Sequence, residues 1–150
     1  MPDANAPRAR SVTPGDQALA TRARQVINTF RAEHPAEYQE LVHEFDSRDG
    51  NLAVFGFGRI NVRITNGEVS VEPGLGPGEM ARGMIYMEAL QAITQGVLTP
   101  LQAYFRGDVI VRAPSGDLHT AYGFFVRFAE LAFGSETMRT HFDEFRTEFL

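Results

Sequence analysis

Four histidines, His34, His43, His119 and His141, are the side chains of this 150-residue sequence best suited to moving a proton near neutral pH. His119 has chemistry around it, with Asp117 two residues before and Tyr122 three after. With Tyr86 and Glu88, His119 and Asp117 make up the set from which a general acid/base pair would be drawn. His43 stands near Glu40 and Glu44 on a helical segment, where exposed pairs are common and contribute little. No His-Glu-x-x-His, no paired histidines at metal spacing and no Gly-x-Ser-x-Gly elbow occur. Ser115-Gly116 reads as a turn without a base. Cysteine is absent and all 14 basic residues are arginine, which excludes thiolate nucleophiles, Schiff-base lysines and a P-loop lysine. The glycines between Pro73 and Gly78 follow neither Gly-x-Gly-x-x-Gly nor the Walker pattern and read as a connecting loop. No cofactor and no metal are expected. Any catalysis would be that of a cofactor-independent cyclase or isomerase working by orientation inside an apolar pocket.

The elements that would position these groups form one domain of ordinary size, over residues 17–150. With 43% hydrophobic and 22% charged residues the composition is globular. Exclusive arginine usage fits a G+C-rich, bacterial-like genome. A net charge of −5 with arginines scattered singly argues against a nucleic-acid partner, whose phosphates require clustered positive charge. No apolar run approaches the roughly 18 residues of a spanning helix, so no stable membrane insertion is expected. Residues 1–16 are polar, carry Pro2, Pro7 and Pro14, and read as a disordered tail on a cytoplasmic protein.

Thr13-Pro14-Gly15-Asp16 offers capping chemistry before a helix over 17–33, whose apolar face (Leu19, Ala23, Val26, Ile27, Phe30) is thin. His34-Pro35 interrupts it, and a second helix over 36–45 places Tyr38, Leu41, Val42 and Phe45 on one face. After a turn cluster at 46–50, strands follow over 51–58 and 59–65. Asn66-Gly67 is the strongest hairpin signal in the chain and pairs Ile64 with Val69 and Val62 with Val71. A strand over 81–87 and a helix over 88–94 come next. Thr99-Pro100 caps a helix to Arg106, and a strand over 108–112 sets Val109 and Val111 on one face and Ile110 on the other. The helix over 117–133 is unusual: Thr120, Gly123, Arg127 and Glu130 form one narrow polar stripe, and nearly everything else on it is apolar, wider than the single face of a surface helix. It needs cover on two sides. A last helix begins after Ser135, with Met138, Phe142, Phe145 and Phe149 on its apolar stripe, and is the expected cover.

Gln95-Gly96-Val97-Leu98-Thr99-Pro100-Leu101-Gln102-Ala103-Tyr104-Phe105-Arg106-Gly107-Asp108-Val109-Ile110-Val111 resembles the sterol carrier protein family in its Gly, Pro, Ala-aromatic, Gly and alternating strand positions. The hairpin Thr65-Asn66-Gly67-Glu68-Val69-Ser70-Val71 and the strand at Met84 are also similar, so the likeness runs over about residues 41–128. Asp108 and Ile110 stand where the family often has lysines, two residues are added near Ala113-Pro114, and Glu148-Phe149-Leu150 is not a peroxisomal tripeptide. The resemblance implies an α+β fold: a mostly antiparallel five-stranded sheet covered on one face by helices, with an extra N-terminal helix.

It also implies a hydrophobic tunnel for a lipid, sterol, fatty acyl or polyketide-like molecule, lined by Ile93, Leu98, Ala103, Tyr104, Phe105, Leu118, Tyr122, Phe125 and Phe128. The expected function is that of a carrier or binding protein for a hydrophobic small molecule. An enzyme acting in the same pocket is the alternative. A structural or assembly protein is the third reading, resting on Ile110 and on the thin first helix, and it would make the chain a homo-oligomer. The last helix, held by one apolar stripe, is expected to open as a lid.

Overall fold

The computed structural model describes residues 11–76, 81–113 and 115–149; within these, the side chains of residues 81, 82, 115, 121, 124, 125, 129, 133 and 149 are not described. The expected tail therefore lies largely outside the described residues. Its boundary falls earlier than residue 16, because the first helix, α1 (Pro14–Glu33), starts at the proline. Thr13 Oγ1 accepts the Asp16 N–H at 3.1 Å, and the Asp16 carboxylate accepts the Thr13 N–H at 3.0 Å. This capping box satisfies two donors that a helix start leaves unpaired.

Helix α2 (Pro35–Glu44) follows, and then β1 (Arg48–Phe55), β2 (Gly58–Thr65), β3 (Glu68–Pro73) and β4 (Ala81–Tyr86). Two helices, α3 (Met87–Thr94) and α4 (Pro100–Phe105), precede β5 (Val109–Arg112), and α5 (Ser115–Gly134) and α6 (Glu136–Phe149) end the chain. Ser115-Gly116, expected as a turn, is the first turn of α5. Strand β1 starts at Arg48, inside the expected turn cluster, and ends at Phe55, because Gly56, with φ of +80°, turns the chain. Thr99 caps α4 as expected, in a second capping box with Gln102.

The sheet order is β3-β2-β1-β4-β5, with β1 and β4 parallel and the other pairs antiparallel. Asn66 and Gly67 both have positive φ, 53° and 79°, the requirement of a type I′ turn. Ile64 pairs with Val69 and Val62 with Val71 as the hairpin reading expects. Registers propagate this face across the sheet: Leu52 lies beside Ile60 and Gly83, and Gly83 beside Val111.

All helices that cover the sheet sit on this face. Helix α1 packs on β2 and β3, while α3 packs on β4 and the adjoining β1, and α4 and α5 pack on β5. Ala20 and Phe30 of α1 are buried against these strands and the neighbouring helices, so α1 is a core element of its own chain. The short Ala20 lets the helix come close, which its apolar count underrates. The β1–β2 turn meets the start of α1 backbone to backbone: a Cβ at Gly58 would lie 2.6 Å from the Gly15 carbonyl, and one at Gly15 would lie 1.9 Å from the Phe57 oxygen. Only glycine fits at either position.

Helix α6 is held on several sides. It packs on α1, α3 and α5, with Met138 wholly buried and Phe145 edge-on to Phe57 at 5.3 Å. A polar row runs along its seam with α1: Arg22 donates to Glu144 and Glu148 at 2.6 Å each, Thr29 Oγ1 and His141 Nε2 share a 2.9 Å hydrogen bond, and Ser135 donates to Glu33. In this arrangement α6 covers α5, as the sequence leads one to expect, and packs on α1 and α3 as well.

Candidate functional site

Among the described residues, buried apolar side chains form three clusters. One joins α1 to β2 and β3 (Ala20, Ile60, Val71), a second joins α3 and α4 to β5 (Ala89, Ile93, Ala103, Val109), and a third joins α1, α2, α5 and α6 around Phe30 and Met138. The central strand β1 lies between the first two. Leu52, in the middle of that strand and on the helix-bearing face, is 44% exposed. A leucine hydrogen-bonded into a sheet on both sides and facing the helices ordinarily belongs to the core. Its strand neighbour on one side, Gly83, has no side chain to cover it. A Cβ on Gly83 would come within 2.7 Å of Leu52 Cδ2.

Helix α5 is tied to the same strand. Its Asp117 accepts a hydrogen bond from Arg48, the first residue of β1 on the same face, so the first turn of α5 reaches the start of the central strand. Leu118, next to it, is 36% exposed. One turn on, the Tyr122 ring lies 5.0 Å from that of Tyr104 on α4, and Tyr104 packs against the buried α3–α4–β5 cluster. Leu52 and Leu118 are thus exposed apolar side chains on the two elements that the Arg48–Asp117 pair joins. Arg48 also lies over the Phe45 ring, 5.9 Å from its centroid, which holds the guanidinium at the start of β1.

The residues expected to line a tunnel divide into four groups. Tyr104 and Tyr122 meet ring to ring, and Leu118 stands one turn before Tyr122 on α5, 36% exposed. Ile93, Leu98 and Ala103 are buried in the α3–α4 cluster, where they pack its core. Phe105 is 76% exposed on the outer surface of α4, and Phe128 packs edge-on against Phe30 at 5.4 Å in the third cluster. The Phe125 side chain lies outside the described residues. Leu52 was missed by sequence reasoning. The alternation of β1 puts it on the inner face, but its exposure depends on what the helices leave uncovered.

The four acid/base candidates do not share a site. Tyr86 pairs with Phe55 at one end of β1, and Asp117 bonds Arg48 at the other, seven residues or about 23 Å away. Glu88 is exposed at the start of α3, near Tyr86. His119 is exposed on the side of α5 that faces α2. Among the described residues no group of three His, Cys, Asp or Glu could hold a metal ion. Ile110 sits half-buried on the outer sheet face beside Met84. No helix among the described residues is long and apolar enough to cross a membrane.

No family model matches the chain. No curated protein matches it either. Solved structures do. It is similar to a UbiJ-SCP2 ubiquinone synthesis protein, at 17% identity and TM-score 0.56 over 83% of this chain and 98% of that one. It is similar to the sterol carrier protein domain 2 of Helicoverpa armigera, at 15% identity and TM-score 0.57 over 80% and 94% of the two chains. A crystal structure of sterol carrier protein 2 matches at 13% identity and TM-score 0.51 over 80% and 95%. The chain therefore has the sterol carrier protein fold, the mixed α+β architecture that the sequence resemblance implied.

Proposed function

We propose that this chain binds a hydrophobic small molecule, a lipid or a similarly long apolar compound, over Leu52 on the central strand, and acts as its carrier. The observation that carries the reading is the exposed Leu52 on the helix-bearing face of a sheet whose other inward leucine, isoleucine and valine positions are mostly buried. An apolar surface left open inside a fold is stabilised when an apolar ligand covers it, at about 25 cal/mol per Å² removed from water. The fold shared with sterol carrier protein 2 domains supports this reading. The Arg48–Asp117 pair at the start of the same strand favours a ligand with one polar end.

Leu52→Trp tests it. The indole would extend into open space, so stability should change by less than about 1 kcal/mol, while the space for a ligand is lost. Titration of the delipidated protein with a fluorescent stearate should show saturable binding in the wild type and at least a tenfold weaker Kd in the variant, a loss of about 1.4 kcal/mol or more. Equal affinity in the two proteins would place the ligand elsewhere, and absence of saturable binding by the wild type to fluorescent stearate and to a fluorescent sterol would overturn the reading.

A further inference from the structure

A second cavity, of about 270 Å³, lies between α2 and α5 on the side of α5 away from the central strand. Its floor is apolar and partly aromatic: Phe30, Leu41, Phe128 and Leu131. Its rim is acidic, with Glu37, Glu40 and Glu44 along α2. Arg127 donates to Glu40 at 2.7 Å and neutralises that carboxylate. Glu37 and Glu44 have no ion pair among the described residues, which leaves the rim with two uncompensated negative charges over a ring-lined floor. His119 and Thr120 complete the α5 side.

The polar stripe of α5 falls here. Thr120, Gly123 and Arg127 line this cavity, and Gly123 stands in the interior of a 20-residue helix. Glycine at such a position costs about 1 kcal/mol relative to alanine. Its backbone is helical, with no positive φ, and a Cβ built on it would meet nothing within 4 Å. Neither backbone conformation nor close packing within this chain therefore calls for glycine. What it does is leave the cavity open where a side chain would otherwise stand.

We infer that this cavity is a binding site for an organic cation with an apolar stem, the stem lying on Leu41, Phe128 and Leu131 and the ammonium or guanidinium head meeting Glu37 or Glu44, which stand two turns apart on α2. Charge selects the class: an anion would meet two unpaired carboxylates, and a neutral apolar molecule would leave them unused. The site is separate from that over Leu52 and takes a ligand of different charge, so its test does not depend on the lipid reading.

Hexylammonium, hexanol and hexanoate serve as probes, followed through the backbone amide shifts of the isotope-labelled full chain. Hexylammonium should saturate with a roughly millimolar Kd, given its small number of heavy atoms, and should move the amides of Leu41, His119 and Gly123 more than that of Leu52. Hexanoate should produce no saturable shift there, and hexanol should bind at least fivefold more weakly than the ammonium. Gly123→Leu should abolish the shifts at Leu41 and His119 while keeping or raising the melting temperature, since it adds helix propensity and fills empty space. The pair Glu37→Gln and Glu44→Gln should weaken hexylammonium at least fivefold and leave hexanol unchanged. The same probe chemistry on a basic peptide, acetyl-Arg amide against free hexylammonium, distinguishes a protein side chain from a small amine as the source of the cation. Equal binding of hexanol and hexylammonium, a Gly123→Leu variant that still binds, or no saturation by either cation would overturn the inference.

Discussion

A chain ending at Gly134 is expected to lose cooperative unfolding altogether. Removing α6 takes away Met138, fully buried, and Phe145, 5% exposed, together with the half-buried Phe142. At about 1.5–3 kcal/mol for each fully buried side chain, these three contribute roughly 4–8 kcal/mol. A domain of this size is stable by only about 5–15 kcal/mol. The deletion also uncovers Phe30 and Ala132, each 2% exposed in the whole chain, and leaves Arg22, Thr29 and Glu33 without their partners on α6. The polar row adds less, because its ion pairs are partly exposed and such pairs contribute about 0–1 kcal/mol each. Urea titration followed by circular dichroism should show a sigmoidal transition for the full chain and a broad, featureless decline for the truncated one. Met138→Ala tests the same packing without deleting backbone and should cost about 2–5 kcal/mol. A truncated chain that still unfolds cooperatively, and that releases a fluorescent stearate faster than the whole protein, would show α6 to be a lid.

How α6 is held is only partly legible in the sequence. Its stripe of Met138, Phe142 and Phe145 is legible in the sequence, and so is the need of α5 for cover on a second side. The partner is not legible, because α1 looks too thin to be one. Packing on α1 runs through one buried residue, Phe30, in the cluster that holds Met138, and through polar contacts such as Arg22 to Glu144, which a count of large apolar residues ignores. Local chemistry was readable wherever the signal is short in range: the Asn66-Gly67 turn, the hairpin register and the Thr99 cap all follow from a few adjacent residues. The parallel pairing of β1 with β4 was not, since alternation gives a strand its faces and not its neighbours. The candidate site shares this division. Tyr104, Leu118 and Tyr122 were named through a family likeness, while Leu52 emerges only when the helices are placed on the sheet and found to leave it exposed.

The capping chemistry at Thr13 to Asp16 was visible in the sequence, but its depth was not, and it carries the second large effect. Asp16 is 1% exposed, and besides closing the α1 capping box its carboxylate accepts the Arg59 backbone N–H at 2.7 Å, with Arg59 Nε 4.0 Å away. This one side chain therefore ties the start of α1 to β2, at the place where Gly15 and Gly58 touch. Burial pushes the carboxyl upward, but the hydrogen bonds from the Thr13 and Arg59 backbones and the Thr13 side chain, with the Arg59 charge, outweigh it and hold the group below its usual 3.8. A carboxylate depressed in the folded state contributes stability that is fully present above the unfolded value and disappears as pH falls through the lower folded one. The wild type should therefore lose part of its stability below about pH 4. Asp16→Ala should cost about 2–4 kcal/mol at pH 7, because it removes charge-assisted bonds and leaves the Arg59 N–H unpaired in the interior. For a chain of this length that corresponds to a fall of roughly 5–15 °C in Tm. Asp16→Asn keeps an acceptor of similar shape but cannot titrate, so it should lose less at pH 7 and show a flatter decline in unfolding free energy between pH 5 and pH 2.5. Denaturant unfolding of the three proteins across that range makes the comparison. If Asp16→Asn declines in parallel with the wild type, the acid sensitivity belongs to other carboxylates, and if Asp16→Ala melts within 2 °C of the wild type, the staple at the head of α1 is not holding the helix to the sheet.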